Sequence, residues 1–143
     1  MRGANEVITV WNRWHDDVIR QDIWMPHVVE GCVWMASGGR RTAGANASAE
    51  DRVTVMIGAL DGYKPPHVWR ALQESERETF FTVREGDVVA RGDMCEQWRL
   101  SGDVGDRISD LREALGRDMC VVTRVADFSS EDRRGGHLVV VGR

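Results

Sequence analysis

Short apolar segments separated by turn residues run along the whole chain. Most of them are rich in β-branched and aromatic residues, which favour strands. They lie at residues 7–11, 28–35, 52–57, 87–91, 119–125 and 137–141, with a weaker candidate at 79–83. Within 52–57 the apolar side chains Val53, Val55 and Ile57 follow the two-residue period of a strand buried on one face. Six or seven short strands predict a mainly β fold, a small barrel or sandwich.

Two stretches have helical spacing instead. In residues 106–115 the apolar side chains recur on one face of a helix. Asp106 is a suitable N-cap for this helix and Gly116 a suitable residue to end it. A second short helix is predicted from Pro66 through Leu72, because proline suits the first helical position.

The segment 37–50 contains no large apolar side chain, although strands are predicted on both sides of it. Loops longer than about 12–15 residues are commonly functional or disordered. Two interpretations stay open: a surface loop without a role, or a projecting arm that becomes ordered against a partner. Guanidinium groups bind phosphate or carboxylate in a bidentate way. We therefore predict Arg40 and Arg41, with Thr42 and Asn46, as the partner-contacting residues of this loop.

Composition narrows the function classes. The length of 143 residues fits one domain spanning 1–143. A net charge of −4 argues against a generally basic nucleic-acid binder. All basic residues except Lys64 are arginines, an excess that coding bias explains. No apolar run approaches the roughly 20 residues needed to span a bilayer, and no secretory leader is recognisable, so we expect no membrane partner.

Residues that could carry catalysis are scattered. His15 is followed by two aspartates, but no second histidine stands at a metal-binding spacing. Neither a nucleophile elbow nor a phosphate-binding loop signature is present. We therefore expect no enzymatic activity, no metal and no cofactor. The least favoured alternative is a hydrolase assembled from the four histidines, His15, His27, His67 and His137.

Asp87 and Asp93 bracket the strand predicted at 87–91. A general acid–base pair would need a cleft and two different environments, neither of which the sequence indicates. We interpret both as turn residues whose carboxylates accept local backbone hydrogen bonds.

Four of the six tryptophans divide into two groups. Trp11 and Trp34 lie in apolar strands and are predicted to be core residues. Trp14 and Trp24 lie in polar, Asp-rich surroundings and are predicted interface anchors, because tryptophan is enriched at binding hot spots. An alternative function follows from them: a small β-barrel module that binds a peptide or carbohydrate through exposed tryptophans.

The order of the segments supports a resemblance over most of the chain. It rests on an opening strand at 8–13, a strand through 31–34 that returns after the long loop at 48–57, the segment 64–69 before the block 81–92, and a closing helix followed by two valine-rich strands. In this order the chain resembles the small head-completion or minor capsid (head–tail connector) proteins of long-tailed phages.

This resemblance implies a structural protein of the virion, assembled in the host cytoplasm. Its subunits would form a six- or twelve-fold ring, a stopper-like connector between portal or adaptor and tail. The loop 37–50 would reach into the channel or toward the next ring. Arg40 and Arg41 would contact packaged DNA without sequence-specific reading, or acidic surfaces of a neighbouring ring.

Overall fold

The computed structural model describes residues 5–37, 52–103, 105–130 and 136–143. In this part of the chain, six antiparallel strands close into a barrel in the order β1-β2-β3-β6-β5-β4. The strands are β1 (Glu6–Asp16), β2 (Gln21–Ser37), β3 (Arg52–Ile57), β4 (Val88–Arg91), β5 (Met119–Asp127) and β6 (Leu138–Gly142). The predicted mainly β fold is confirmed, and it is a barrel.

Alternate side chains of the strands fill the barrel. Val53, Val55 and Ile57 of β3 are buried, as their two-residue period predicts. The opposite face of β1, β4 and β5 forms a second apolar cluster, which α3 (Ile108–Leu115) covers with Leu111. Trp11 belongs to this second cluster, so its predicted core position is confirmed.

The hairpin of β1 and β2 extends beyond the barrel. β1 pairs with β2 from Glu6 to Asp16, whereas it pairs with β4 only through Ile8–Trp11. Residues 12–16 and 21–25 therefore form a two-stranded arm. Arg20 adopts a left-handed conformation (φ 55°) in the turn of this arm. We call residues 16–20 the hairpin tip.

The two predicted helices are present. α1 (Pro66–Arg70) starts at the predicted proline. α3 begins later than expected, with Arg107 rather than Asp106 as its N-cap residue. The reason is that the Asp110 carboxylate accepts the backbone N–H of Arg107 and so fixes the first turn there. Gly116 ends the helix with φ 58°, which glycine adopts without strain.

The weaker strand prediction at 79–83 is wrong. Thr79 ends a further helix, α2 (Glu74–Thr79), and Phe81 makes an isolated parallel bridge with Tyr63. The backbone of this segment bonds elsewhere: the N–H of Phe81 donates to Gly62, and that of Thr82 donates to the side chain of Asn12. These bonds replace the ladder that a seventh strand would need.

Candidate functional site

A cleft of about 220 Å³ opens at the end of the barrel where β2 finishes and β3 starts. Four arginines line it, contributed by β3, by α3, by the 3-10 helix Gly116–Asp118 and by the residue after β6: Arg52, Arg112, Arg117 and Arg143. The buried side chains of Val53 and Met119 also line it. We call this feature, defined by these six residues, the arginine cleft.

Strand pairing brings the arginines together. Val53 lies opposite Gly142, which places Arg52 and Arg143 at the same barrel end. Arg112 donates from Nη2 to the carbonyl of Arg143 at 2.8 Å and so ties α3 to the end of β6.

A close approach of two strands shapes this end of the barrel. A Cβ atom on Gly142 would lie 2.6 Å from the carbonyl oxygen of Val121 and 2.7 Å from the Cys120 sulfur. Only glycine therefore lets β6 approach β5 at this position.

Two acidic residues, Glu6 and Asp118, lie close to Arg91. Arg91 bonds Glu6 at 2.7 Å and lies 3.8 Å from Asp118. The backbone N–H of Trp34, together with Arg91, holds the pKa of Glu6 below its ordinary value. The cleft brings four guanidinium groups together on a chain of net charge −4. Its chemistry suits a carboxylate or a phosphate.

A buried polar network lies at the base of the arm. Asp87 is fully buried; it accepts the N–H of Arg13 at 3.0 Å, the N–H of Arg84 at 3.0 Å and the Asn12 amide at 2.9 Å. Burial raises the pKa of Asp87 to about 6, although these hydrogen bonds and the Arg84 charge act in the opposite direction. The network joins β1 to the segment before β4 and so holds these two parts of the chain together.

The two predicted turn aspartates do accept local backbone hydrogen bonds. Asp87 accepts that of Arg84, and Asp93 accepts the N–H of Cys95 at 3.2 Å. The burial of Asp87 and its bonds to β1 were not predicted, because its partners in β1 stand more than seventy positions earlier in the chain.

Trp14 packs against the helices α1 and α2, which lie beside the arm. Its ring meets Trp69 edge-on at 6.0 Å between centroids, and the Arg77 guanidinium lies 3.8 Å from its centre. Trp69 in turn donates from Nε1 to the carbonyl of Phe80 at 2.8 Å. Helices α1 and α2 thus hold one side of the arm. Trp14 is half-buried there, and its role as an interface anchor stays a prediction.

Trp24 faces the other side of the arm. It pairs with Arg13, whereas Trp14 pairs with Ile23, so the two tryptophans lie on opposite faces. Trp24 is half-buried and lines a cleft of about 820 Å³ between the start of β2 and residues 99–109. Side chains of both charges line this cleft, including Asp22, Arg99 and Arg107. The structure does not bring the two predicted anchors into one surface.

Arg40, Arg41, Thr42 and Asn46 lie outside the described residues. Their strand neighbours are described: Ser37 lies opposite Arg52. The connection between β2 and β3 therefore leaves and returns beside the arginine cleft.

The described ranges contain no group of three or more His, Cys, Asp or Glu side chains that could hold a metal ion. Burial raises the pKa of Cys32 and of Cys120 to about 12, so both are thiols at neutral pH. Burial also lowers the pKa of His27 to about 4. No helix in the described part is long and apolar enough to cross a bilayer.

Comparison with known proteins gives one match. A family model described as DUF6751, a family of unknown function, covers residues 3–143. The chain belongs to this family. The match spans the barrel strands and the helices α1, α2 and α3, so family membership concerns the whole described fold. No curated protein and no solved structure matches the chain.

Sequence reasoning missed the arginine cleft. Arg52 starts a predicted strand and Arg143 is the last residue of the sequence, so no local pattern connects them. One signal could have pointed to the cleft: the chain uses arginine almost to the exclusion of lysine. Coding bias explains this excess over the whole chain, but it does not explain why four arginines line one cleft. Strand pairing then decides which arginines meet, and the linear sequence does not show it.

Proposed function

We propose that this chain is a structural subunit of a long-tailed phage particle, a head-completion or head–tail connector ring protein between portal or adaptor and tail. The observation that carries the proposal is the arginine cleft, which brings four guanidinium groups of an acidic chain to one barrel end. The closed barrel suits such a subunit, because closure removes the strand edges that would otherwise pair without control.

The charge distribution supports the proposed partners. The β2–β3 connection leaves the barrel at Ser37 and returns at Arg52, beside the arginine cleft, and its Arg40 and Arg41 are the proposed contacts with DNA phosphates. Contacts of this type with DNA phosphates carry no sequence information. The net negative charge of the chain keeps the rest of a channel wall from binding the genome.

Native mass spectrometry and electron microscopy of the purified chain test this function. We expect a six- or twelve-fold ring, and we expect the chain in purified particles of the phage that encodes it. A protein that is monomeric and absent from those particles contradicts the proposal.

A second candidate is the peptide- or carbohydrate-binding module, favoured by the position of Trp24 in the 820 Å³ cleft. Titration with oligosaccharides and short peptides would then quench tryptophan fluorescence, and Trp24→Phe would remove the quenching. Trp14→Phe is the matched control, because Trp14 lies on the other face of the arm. Unchanged fluorescence over the whole ligand panel excludes this candidate.

A further inference from the structure

We infer that the outer edge of β2 in the arm binds an extended segment of a partner protein, which adds to the arm as a third strand. We call residues 22–26 of β2 the open edge. The inference goes beyond the proposed ring function. It rests on the second candidate function, the binding module, and specifies the class of ligand that such a module would take in the cleft beside Trp24.

The hydrogen bonds of Arg13 show which way this part of β2 faces. The Arg13 N–H donates to the Asp87 carboxylate at 3.0 Å, and the Arg13 carbonyl accepts the Arg84 guanidinium, so both backbone groups point away from β2. In an antiparallel pair, two directly opposed residues either bond each other or both face outward. Trp24 lies opposite Arg13, and its N–H and carbonyl therefore point away from β1.

The same alternation fixes the rest of the open edge. Asp22 and Pro26 lie two positions from Trp24 on either side, so their backbone groups also point outward. Pro26 has no N–H, which costs no ladder bond at an outward position and ends the row of donors there. The open edge therefore presents the N–H groups of Asp22 and Trp24 together with the carbonyls of all three residues.

No strand of the described chain pairs with the open edge. β2 pairs with β3 only from Cys32 onward, so closure of the barrel leaves residues 22–26 uncovered. Within the described ranges, the N–H groups of Asp22 and Trp24 have no hydrogen-bond partner. A strand edge with such donors and acceptors is a template for a further strand.

The cleft of about 820 Å³ follows this edge. Four consecutive residues of β2, 21–24, line it, although their side chains alternate between the two faces of the arm. A groove that runs along the backbone of a strand has such a lining. Residues 99–103 and the start of α3 form the opposite wall. The volume lies within the range of about 300–1,000 Å³ that is usual for ligand-binding pockets.

The side chains around the open edge indicate which segment fits. Trp24, Leu100 and Ile108 form an apolar floor. Arg99 and Asp103 lie on the opposite wall, both exposed and without an ion pair in the part of the chain that the structure describes. The matching strand has an apolar residue opposite Trp24, with an acidic and a basic residue two positions away on either side, because these three side chains share one face.

Amide hydrogen exchange, measured by NMR, tests the open edge in the protein alone. The N–H of Trp24 should exchange at least about tenfold faster than the N–H of Met25, which faces β1 and bonds to it. Equal protection of the two N–H groups would mean that the edge is already covered, and it overturns the inference.

Two blocked peptides serve as probes, Thr-Glu-Thr-Val-Thr-Lys-Thr and its reverse, Thr-Lys-Thr-Val-Thr-Glu-Thr, because an added strand can run in either direction. One of them should slow exchange of the Trp24 N–H about tenfold or more. The N–H of Val28, which faces outward beyond Pro26 and outside the cleft, should keep its rate. If neither peptide protects Trp24 at millimolar concentration, the inference is wrong.

Exchanging the two wall charges tests the chemistry of the segment. Arg99→Asp together with Asp103→Arg should reverse which of the two peptides binds more tightly. Both side chains are exposed, and circular dichroism checks that the variant folds. A preference that stays the same contradicts the assigned pairing of the charges.

Two proline variants separate the backbone from the side chain. Trp24→Pro removes an outward N–H and the indole and should abolish peptide binding, whereas Trp24→Thr keeps the N–H and should weaken binding only about tenfold. Val28→Pro is the matched control, because it removes an outward N–H outside the cleft and should leave peptide binding unchanged.

N-methylated peptides test strand addition on the unchanged chain. Only alternate residues of an added strand bond to β2. N-methylation of the central valine, or of its two threonine neighbours, should abolish binding in one case and leave it in the other. Loss of binding in both cases, or in neither, overturns the third strand.

The outcomes distinguish this inference from the proposed functions. An oligosaccharide that quenches the fluorescence of Trp24 without protecting its N–H overturns the inference and keeps the second candidate. Rings found in phage particles, from a chain that no peptide protects, overturn the inference and keep the ring function. Strand addition to a monomeric chain that is absent from particles supports the inference and contradicts the ring function.

Discussion

Asp87 connects two parts of the chain through a single buried carboxylate. It shapes its own turn by accepting the N–H of Arg84, and it holds the base of the arm by accepting the N–H of Arg13. Burial disfavours the charged carboxylate, whereas the donors around it favour that form. The result is a pKa of about 6 for the Asp87 carboxyl group.

Asp87→Asn should change how stability depends on pH. The pKa of Asp87 is about 6 in the folded chain and about 4 in the unfolded chain. Between these values only the folded chain holds the proton, so rising pH lowers the free energy of unfolding by about 3 kcal/mol. The destabilisation caused by Asp87→Asn should therefore shrink between pH 4 and pH 6, as measured by urea unfolding.

The control for Asp87→Asn is Asp93→Asn, which removes a carboxylate from an exposed turn. It should leave the difference in stability between pH 4 and pH 6 as it is in the unchanged chain. If Asp87→Asn also leaves that difference unchanged, Asp87 does not titrate as its burial implies.

Titration of His27 should change the free energy of unfolding with pH in the direction opposite to Asp87. Its pKa is about 4 in the folded chain and about 6.5 in the unfolded chain, so falling pH protonates the unfolded chain first. The free energy of unfolding should fall by about 3 kcal/mol between pH 6.5 and pH 4 because of this group. His27→Gln should remove this loss of stability. The control is His67→Gln, because His67 is exposed, and it should keep the loss. An equal loss in both variants contradicts the prediction.

At the scale of elements, β6 approaches β5 most closely at Gly142, where there is no room for a side chain. Gly142→Ala should destabilise the barrel by about 1–3 kcal/mol, because the new methyl group meets the backbone of Val121 and the Cys120 sulfur. Gly102→Ala is the matched control, since nothing lies within 4 Å of its added Cβ. Chemical denaturation measures both, and equal stability of the two variants would show that β6 can shift away.

The elements that the sequence predicted are those whose pattern is local. The strands β3 and β6 and the helix α3 show their period directly in the buried positions. Most of the arm was missed, because its residues are largely polar and pack against α1, α2 and the Asp87 network. Helix α2 was missed because its six residues include no apolar side chain and so show no helical face.

The choice between barrel and sandwich depends on a single pairing. β1 meets β4 through four residues on each side, and the two strands stand about half the chain apart. No local pattern encodes that closure. The arginine cleft was unpredictable for the same reason, because β3 and β6 must first lie side by side.

At the scale of the whole molecule, the barrel should not depend on the long connection. Deleting residues 38–47 leaves 48–51 between the paired residues Ser37 and Arg52, which is within the length of about 2–5 residues usual for hairpin loops. The free energy of unfolding should therefore change little, as measured by denaturation.

The same deletion should impair head–tail joining or DNA retention under the proposed function. The measurement is the yield of infectious particles in a phage that carries the deletion. A normal yield contradicts a functional arm in this connection.

β1 passes without interruption from the barrel end beside the cleft to the hairpin tip. Tension applied between the hairpin tip and the opposite barrel end runs through the covalent backbone of β1. Hydrogen bonds to β2 and β4 then resist such a load in shear, where many must break together, instead of opening one at a time. The chain should therefore resist force applied along β1 better than force applied across it.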